Sequence, residues 1–169
     1  KNVPHIYKRN KQQLITSKDR LQLLDLILDA INHVELIVKD REGYIKTNFI
    51  ASKCSIIANG TYFTNVIVNI LDNAIKYSEG PPKIDIITQN IGNNILMSIT
   101  EQGIGIGKPA LKRIFKEFYR ENTGDVHKVK GHGLGLSNVK RIVENHQGII
   151  TVKREKWKER TITLNVTLI

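Results

Sequence analysis

Residues 131–136 read GHGLGL, with glycine at every second position. They open a run in which Leu134, Leu136, Val139, Ile142 and Val143 recur at helical spacing. Alternate glycines remove the Cβ groups that keep backbone N–H groups apart, and a helix beginning there adds the positive end of its dipole. A chain built this way has to bring a loop onto a helix N-terminus where an anion can approach, and phosphate is the natural one. Two upstream stretches carry compatible chemistry, NILDNAIKYS at 69–78 and EQGIGIG at 101–107.

The 169 residues, 40% of them hydrophobic, suffice for one domain with a substantial core. The first helix is predicted over 21–38, where Leu21, Leu23, Leu24, Ile27, Leu28, Ile31 and Val34 repeat at three and four. Residues 44–51 and 55–58 read as a pair of short strands after a turn at 40–43. A second helix is expected over 64–77, with Val66, Ile67, Ile70, Leu71 and Ala74 on its apolar side, stopped by Gly80, Pro81 and Pro82. Strands at 83–89 and 95–100 flank a Gly92-Asn93-Asn94 turn. Helices should follow at 110–118 and 134–145, the latter closed by Gly148 as its C-cap. In the final TITLNVTLI, Ile162, Leu164, Val166 and Leu168 alternate with polar residues, as in a strand with one buried face. The sum is a two-layer α/β sandwich (α+β), its mixed sheet mostly antiparallel and its helices on one face.

Charge and composition narrow the partners. The net charge of +10 suits any polyanion, but the basic residues are scattered and form no ordered stripe, so nucleic acid is not expected. The densest patch, KREKWKER at 153–160, reads as a solvated hairpin tip. A single cysteine, Cys54, precludes an intramolecular disulfide, fits a reducing compartment and reads as a small buried residue. No apolar run approaches bilayer length and no signal peptide is visible, so this stretch should make no membrane contact of its own. Lys1 in place of methionine suggests a fragment. Residues 1–17 read as a linker or the tail of a preceding element, and 18–169 as the domain.

On the second helix, Asn69 and Asn73 lie four apart and project from the same side, where amide oxygens can serve a hard cation such as Mg2+. Lys76 lies on roughly that face as a counter-charge for phosphate, and Tyr77 is placed to pack beside a purine. Glu101 stands at the end of a buried strand before a glycine turn. A carboxylate there can accept a hydrogen bond from an exocyclic amine, which adenine has and guanine lacks at that edge.

These motifs resemble the catalytic ATP-binding domain of bacterial sensor histidine kinases, within the superfamily of gyrase, mismatch-repair ATPases and heat-shock chaperones. NILDNAIKYS looks like the N box, EQGIGIG the G1 box, IFKEFYR at 114–120 the F box, and GHGLGLSNVKRIVENHQG the G2 box with its helix. The resemblance covers about 20–169 and implies the Bergerat fold; the NTGDVHKVKG segment looks like kinases of the Bacteroidetes. It further implies that Asn73 is the magnesium ligand, that Asn69 and Lys76 lie on the phosphate side, and that Tyr77 neighbours the adenine. Glu101 takes the adenine-reading position, with Gly103, Gly105 and Ile106 beside it. Phe115 and Phe118 anchor a lid over about 120–130, from which Arg120, Lys128 and Lys130 approach the phosphates. Gly131, His132, Gly133, Leu134, Gly135 and Leu136 line the triphosphate. Asn69, Lys76 and Arg120 are the residues implied in catalysis.

Two departures from the family pattern matter. The G1 box normally begins with Asp, and the extra methylene of Glu101 is expected to overpack the pocket and weaken ATP binding relative to Glu101→Asp. Taken to its limit, this makes the domain a nucleotide-sensing or pseudokinase module. Further, the superfamily's ATPases carry a glutamate four residues before the magnesium ligand. Here that position is Asn69, which is no general base at neutral pH. The γ-phosphate is therefore expected to pass to a histidine on a separate dimerisation domain and on to a response regulator. The resemblance places such a domain in the cytoplasm, with its parent anchored in the inner membrane. None of His5, His33, His127, His132 and His146 has the acceptor motif.

Overall fold

The computed structural model describes residues 17–78, 80–102, 134–155 and 159–169. The helix expected at 110–118, residues 156–158 of the stretch expected to be a hairpin tip over 153–160, and residues 1–16 lie outside them. In chain order the elements are β1 (Asp19–Gln22), α1 (Leu23–Asp40), β2 (Tyr44–Phe49), β3 (Ser55–Ala58), α2 (Gly60–Lys76), β4 (Lys83–Ile91) and β5 (Asn94–Gln102). After these come α3 (Leu134–Asn145), β6 (Ile149–Glu155) and β7 (Glu159–Thr167).

Five strands form the main sheet in the order β2-β4-β5-β7-β6, parallel between β2 and β4 and antiparallel elsewhere. Its inward rows are Ile84 and Ile86 on β4, Ile95, Met97 and Ile99 on β5, and Ile162, Leu164 and Val166 on β7, all buried. Onto them pack α1 through Leu26, Ile27, Ala30 and Val34, α2 through Phe63, Ile67, Ile70 and Leu71, and α3 through Val139, Ile142 and Val143. Burying each such side chain contributes roughly 1.5–3 kcal/mol, which makes this layer contact the main source of stability. The two-layer sandwich follows from one-sided strands meeting one-sided helices.

Several local expectations change. Leu21 fits the helical spacing but belongs to β1, which pairs antiparallel with β3 through Leu21 and Ile56. The helix starts at Leu23 because Gln22 is extended and the Leu23 N–H donates to Cys54 O at 2.9 Å. Tertiary pairing here overrides periodicity. The strands β2 and β3 do not pair with each other, since β3 joins β1 in a separate two-stranded sheet. Helix α2 begins a turn earlier than expected, its Asn59 side chain capping the Tyr62 N–H at 3.1 Å. At the end of α3 the left-handed residue is Gln147, with φ 55, and not Gly148. Gly148 serves close approach instead: a Cβ there would lie 2.9 Å from Val143 Cγ1 and 3.0 Å from Asn165 O.

Charge patterning also misleads at 153–160. Lys153 is exposed as expected, but Arg160 lies on the inward face of β7, only 2% exposed. Cys54 is buried and free, in keeping with a small apolar role.

A buried histidine ties two helices together. His146 Nδ1 lies 2.7 Å from Ile142 O and its Nε2 accepts the Asn59 N–H at 3.0 Å, with the ring edge-on to Phe63 at 5.4 Å. One nitrogen must donate and the other accept, so the neutral tautomer is required. Burial lowers its pKa from the ordinary 6.5. The native state therefore binds fewer protons than the unfolded chain between its lowered pKa and about 6.5, and stability falls as pH drops through that window. Urea unfolding should show a midpoint that is flat above about pH 7 and declines below about 6.5, with the decline blunted in His146→Phe. An equal acid dependence in the variant assigns the effect to other groups.

Candidate functional site

The site is built where the inward rows of β5 and β7 turn from apolar to charged on one rung. Glu101 follows Ile95, Met97 and Ile99 at the same two-residue period, and Arg160 precedes Ile162, Leu164 and Val166 in the same way. In the antiparallel register the two residues are directly opposite. Arg160 Nε lies 2.8 Å from Glu101 Oε1, and the side chains are 2% and 3% exposed. Burial pushes the Glu101 carboxyl above its usual range, while the Arg160 charge pulls it back. Among the described residues, Glu101 Oε2 and the Arg160 Nε, Nη1 and Nη2 atoms have no hydrogen-bond partner, the Nε–Oε1 contact being an ion pair. A buried carboxylate oxygen without a partner is costly, and it is the kind of atom a ligand donor satisfies.

The C-terminal end of α2 meets this pair. Tyr77, the residue closing α2, places its ring 5.6 Å from the Arg160 guanidinium. Its position is set from α1. Arg41 donates to Ile75 O through Nη1, and through Nη2 to Ser78 O and Gly80 O, both at 3.0 Å. A guanidinium thus satisfies carbonyls that a helix end leaves open. Ser78 adds a bond of its own from Oγ to Ala74 O at 2.7 Å.

One turn back, Asn73 and Asn69 are both half-buried on α2. The Asn73 Nδ2 donates to Asn69 O at 3.0 Å, which orients the amide and leaves its Oδ1 outside that bond as an oxygen donor. Lys76 is less available than the sequence suggests: its Nζ pairs with Asp72 at 2.8 Å, an exposed i,i+4 contact worth at most about 1 kcal/mol. No cluster of three or more His, Cys, Asp or Glu able to hold a metal occurs among the described residues.

Of the sequence candidates, the structure brings Tyr77 and Glu101 together through Arg160, with Asn69, Asn73 and Lys76 on the adjoining helix. Leu134 and Gly135 lie in the first turn of α3, and Leu136 is buried. Gly103, Gly105, Ile106, Phe115, Phe118, Arg120, Lys128, Lys130, Gly131, His132 and Gly133 lie outside the described residues. Arg160 was missed because it stands in a run of surface-like charges. Counting the β7 alternation back two residues from Ile162 finds it.

A family model described as histidine kinase-, DNA gyrase B- and HSP90-like ATPase matches residues 58–168. The chain belongs to this family.

Among curated relatives, the ATPase domain is 39% identical over 150 residues to sensor protein RprX of Bacteroides fragilis, covering 86% of this chain and 28% of that one. It is 31% identical over 159 residues to the heme sensor protein HssS of Staphylococcus aureus, covering 94% of this chain and 33% of the other. It therefore spans about a third or less of these sensor proteins' length. Among solved structures, the mycobacterial sensor histidine kinase MprB superposes with a TM-score of 0.76 at 22% identity, over 89% of this chain and 97% of that one. Full-length ShkA in complex with AMPPNP superposes at 0.76 with 20% identity, over 89% of this chain and 31% of that one. These likenesses establish the fold. No helix among the described residues is long and apolar enough to cross a membrane.

ATP binding is the property of this family. The longer side chain of Glu101 places its Oε1 2.8 Å from Arg160 Nε, a contact that the sequence did not reveal. Glu101→Asp withdraws the carboxylate from a buried guanidinium. It is expected to bind ATP no more tightly than the unmodified ATPase domain and to unfold at lower urea. Titration calorimetry and a urea melt check both, and tighter binding by the variant restores the overpacking account.

Proposed function

We propose that this ATPase domain is the phosphoryl-donating half of a sensor histidine kinase, binding Mg-ATP and delivering the γ-phosphate to a histidine on a separate dimerisation domain. The observation that carries the reading is the unpartnered Glu101 Oε2, buried at the end of β5 beside the helix that carries Asn69 and Asn73. Oε2 accepts the exocyclic amine of adenine, and Tyr77 lies at the same end of α2. The Asn73 Oδ1, oriented by the bond from its own Nδ2, is the protein ligand offered to magnesium. An oxygen donor of this kind suits that ion, which would supply positive charge against that of the phosphates.

The domain's own residues then bind and orient. Asn69 stands where a water-activating carboxylate would be needed, and an amide cannot take up that proton at neutral pH. Hydrolysis is thereby disfavoured against transfer to a protein nucleophile. Arg120, Lys128 and Lys130 are proposed to approach the phosphates, and the glycines at 131, 133 and 135 to cradle them. Lys76 is a weaker candidate for the same duty while Asp72 holds its ammonium. The complete protein would pass the phosphoryl group to a response regulator. ThkA, 18% identical to this chain, has been solved in complex with its response regulator protein TrrA.

The acceptor is not expected within this chain. His146 is buried with both ring nitrogens engaged, and His33 bonds its own helix at Asp29 O, 2.7 Å away. Incubated alone with γ-labelled ATP, the chain should acquire no acid-labile label, and label should appear on a supplied histidine-bearing dimerisation domain. Phosphohistidine on the isolated chain would falsify this assignment. In parallel, Asn73→Ala should lose about tenfold or more in magnesium-dependent ATP affinity while its melting behaviour stays close to that of the unmodified chain.

A further inference from the structure

We propose that Arg160 is a positioning residue for base recognition: held against Glu101 Oε1, it keeps that side chain a carboxylate, so that Oε2 is presented as a pure acceptor to the exocyclic amine of adenine. The inference rests on reading Glu101 as the adenine-recognising residue and goes one residue beyond it.

The chemistry turns on what a buried acid does without a counter-charge. At 3% exposure Glu101 would take up a proton, and a protonated carboxyl carries an O–H donor where the amine needs an acceptor. Arginine prevents this because its guanidinium stays charged at every accessible pH. Arg160 is the charged group that acts on Glu101 among the described residues. The other cross-strand neighbour of Glu101 is Ile84 on β4, which is apolar, and Tyr77 at the end of α2 faces the guanidinium with its ring. Nothing described on those elements competes with Arg160 for the carboxylate or supplies a second cation.

The geometry assigns the two carboxylate oxygens different tasks. Oε1 lies 2.8 Å from Arg160 Nε, and Oε2 has no partner among the described residues. The strand register fixes that division, since Glu101 and Arg160 are opposed on one rung of an antiparallel pair that runs from Asn94 to Gln102. Specificity follows from the same arrangement. A purine that offers a carbonyl, or nothing, at that edge leaves a buried anionic oxygen unsatisfied, whereas adenine satisfies it.

The test compares ATP with purine riboside triphosphate, which lacks the exocyclic amine, by titration calorimetry of the 169-residue chain with magnesium between about pH 6 and about pH 9. The ratio of the two affinities is read, because titration of the triphosphate itself cancels in it. The unmodified chain should prefer ATP by about tenfold or more at neutral pH, and the preference should hold on moving from alkaline to neutral solution. Arg160→Lys, which keeps a cation, should retain most of it. Arg160→Gln and Arg160→Met should fall to within about twofold at neutral pH and recover part of the preference as the solution is made alkaline.

A purely structural role for Arg160 predicts lower stability and weaker binding of both nucleotides with the ratio unchanged, and that result overturns the proposal. A ratio that decays between alkaline and neutral pH in the unmodified chain overturns it as well, and requires no variant to fold. If the unmodified chain binds both nucleotides equally at every pH, the reading of Glu101 fails, and the role of Arg160 falls with it.

Discussion

A carboxylate and a guanidinium share one rung of a sheet whose other inward positions are isoleucine, methionine, leucine and valine, and this pair constrains the structure more than any other contact. Removing two charges from water costs several kcal/mol for each ion, and their attraction offsets this only when the geometry is held. The holding is done by the β5–β7 register. A slip of β7 by one residue would turn Arg160 outward, bury threonines in place of its inward row and leave Glu101 without its counter-charge. The outer face opposes that slip too, with Ser98 and Thr163 hydroxyls 3.2 Å apart and Thr100 and Thr161 hydroxyls 2.9 Å apart. Apolar packing on one face and a hydroxyl ladder on the other specify the same alignment, and the charged rung depends on both.

Helix α2 brings the second part of the site to that rung, and it is secured at each end by a different neighbour. Asn59 and His146 fix its first turn, and Arg41 closes its last through the carbonyls of Ile75, Ser78 and Gly80. The helix between them is sandwiched by α1 and α3, so the positions of Asn69, Asn73 and Tyr77 are inherited from core packing and two polar clamps. Side chains on a rigid helix are placed more sharply than side chains on a loop. In this domain Glu101 stands on a strand and Asn69 and Asn73 on a helix.

Much of this was legible in the sequence, because periodicity reports directly on which side of an element faces a core. Val66, Ile67, Ile70, Leu71 and Ala74 were assigned to the buried side of α2, and all are buried. The alternation of Ile162, Leu164, Val166 and Leu168 likewise matched the inward row of β7. Periodicity fails where a partner distant in sequence decides the outcome. Leu21 satisfied the helical spacing yet joined β3, and two neighbouring strands, β2 and β3, went to different sheets. Arg160 is the instructive miss. Its neighbours in KREKWKER are charged, and local composition reads as solvent-facing, whereas the two-residue period of β7 extended from Ile162 places it inside. Glu101 was singled out from its motif, but what it touches was invisible without the register that sets β7 beside β5.

The two ends of α2 divide the buried polar groups by task. At one end His146 and Asn59 form a neutral, fully engaged contact whose hydrogen bonds are all internal, so it serves stability and offers nothing to a ligand. At the other, Glu101 Oε2 and all three Arg160 side-chain nitrogens are without a hydrogen bond among the described residues, Nε meeting Oε1 as an ion pair. A helix of 17 residues is about 25 Å long, so protonation of His146 acts on the folding equilibrium well away from the Glu101 carboxylate. Among the described residues, the buried side-chain atoms without a hydrogen-bond partner other than Thr88 Oγ1 lie on one rung, beside the helix end that carries Tyr77. Stability is drawn from the rest of the sandwich, and most of the cost of incomplete hydrogen bonding among the described residues falls on the Glu101–Arg160 rung.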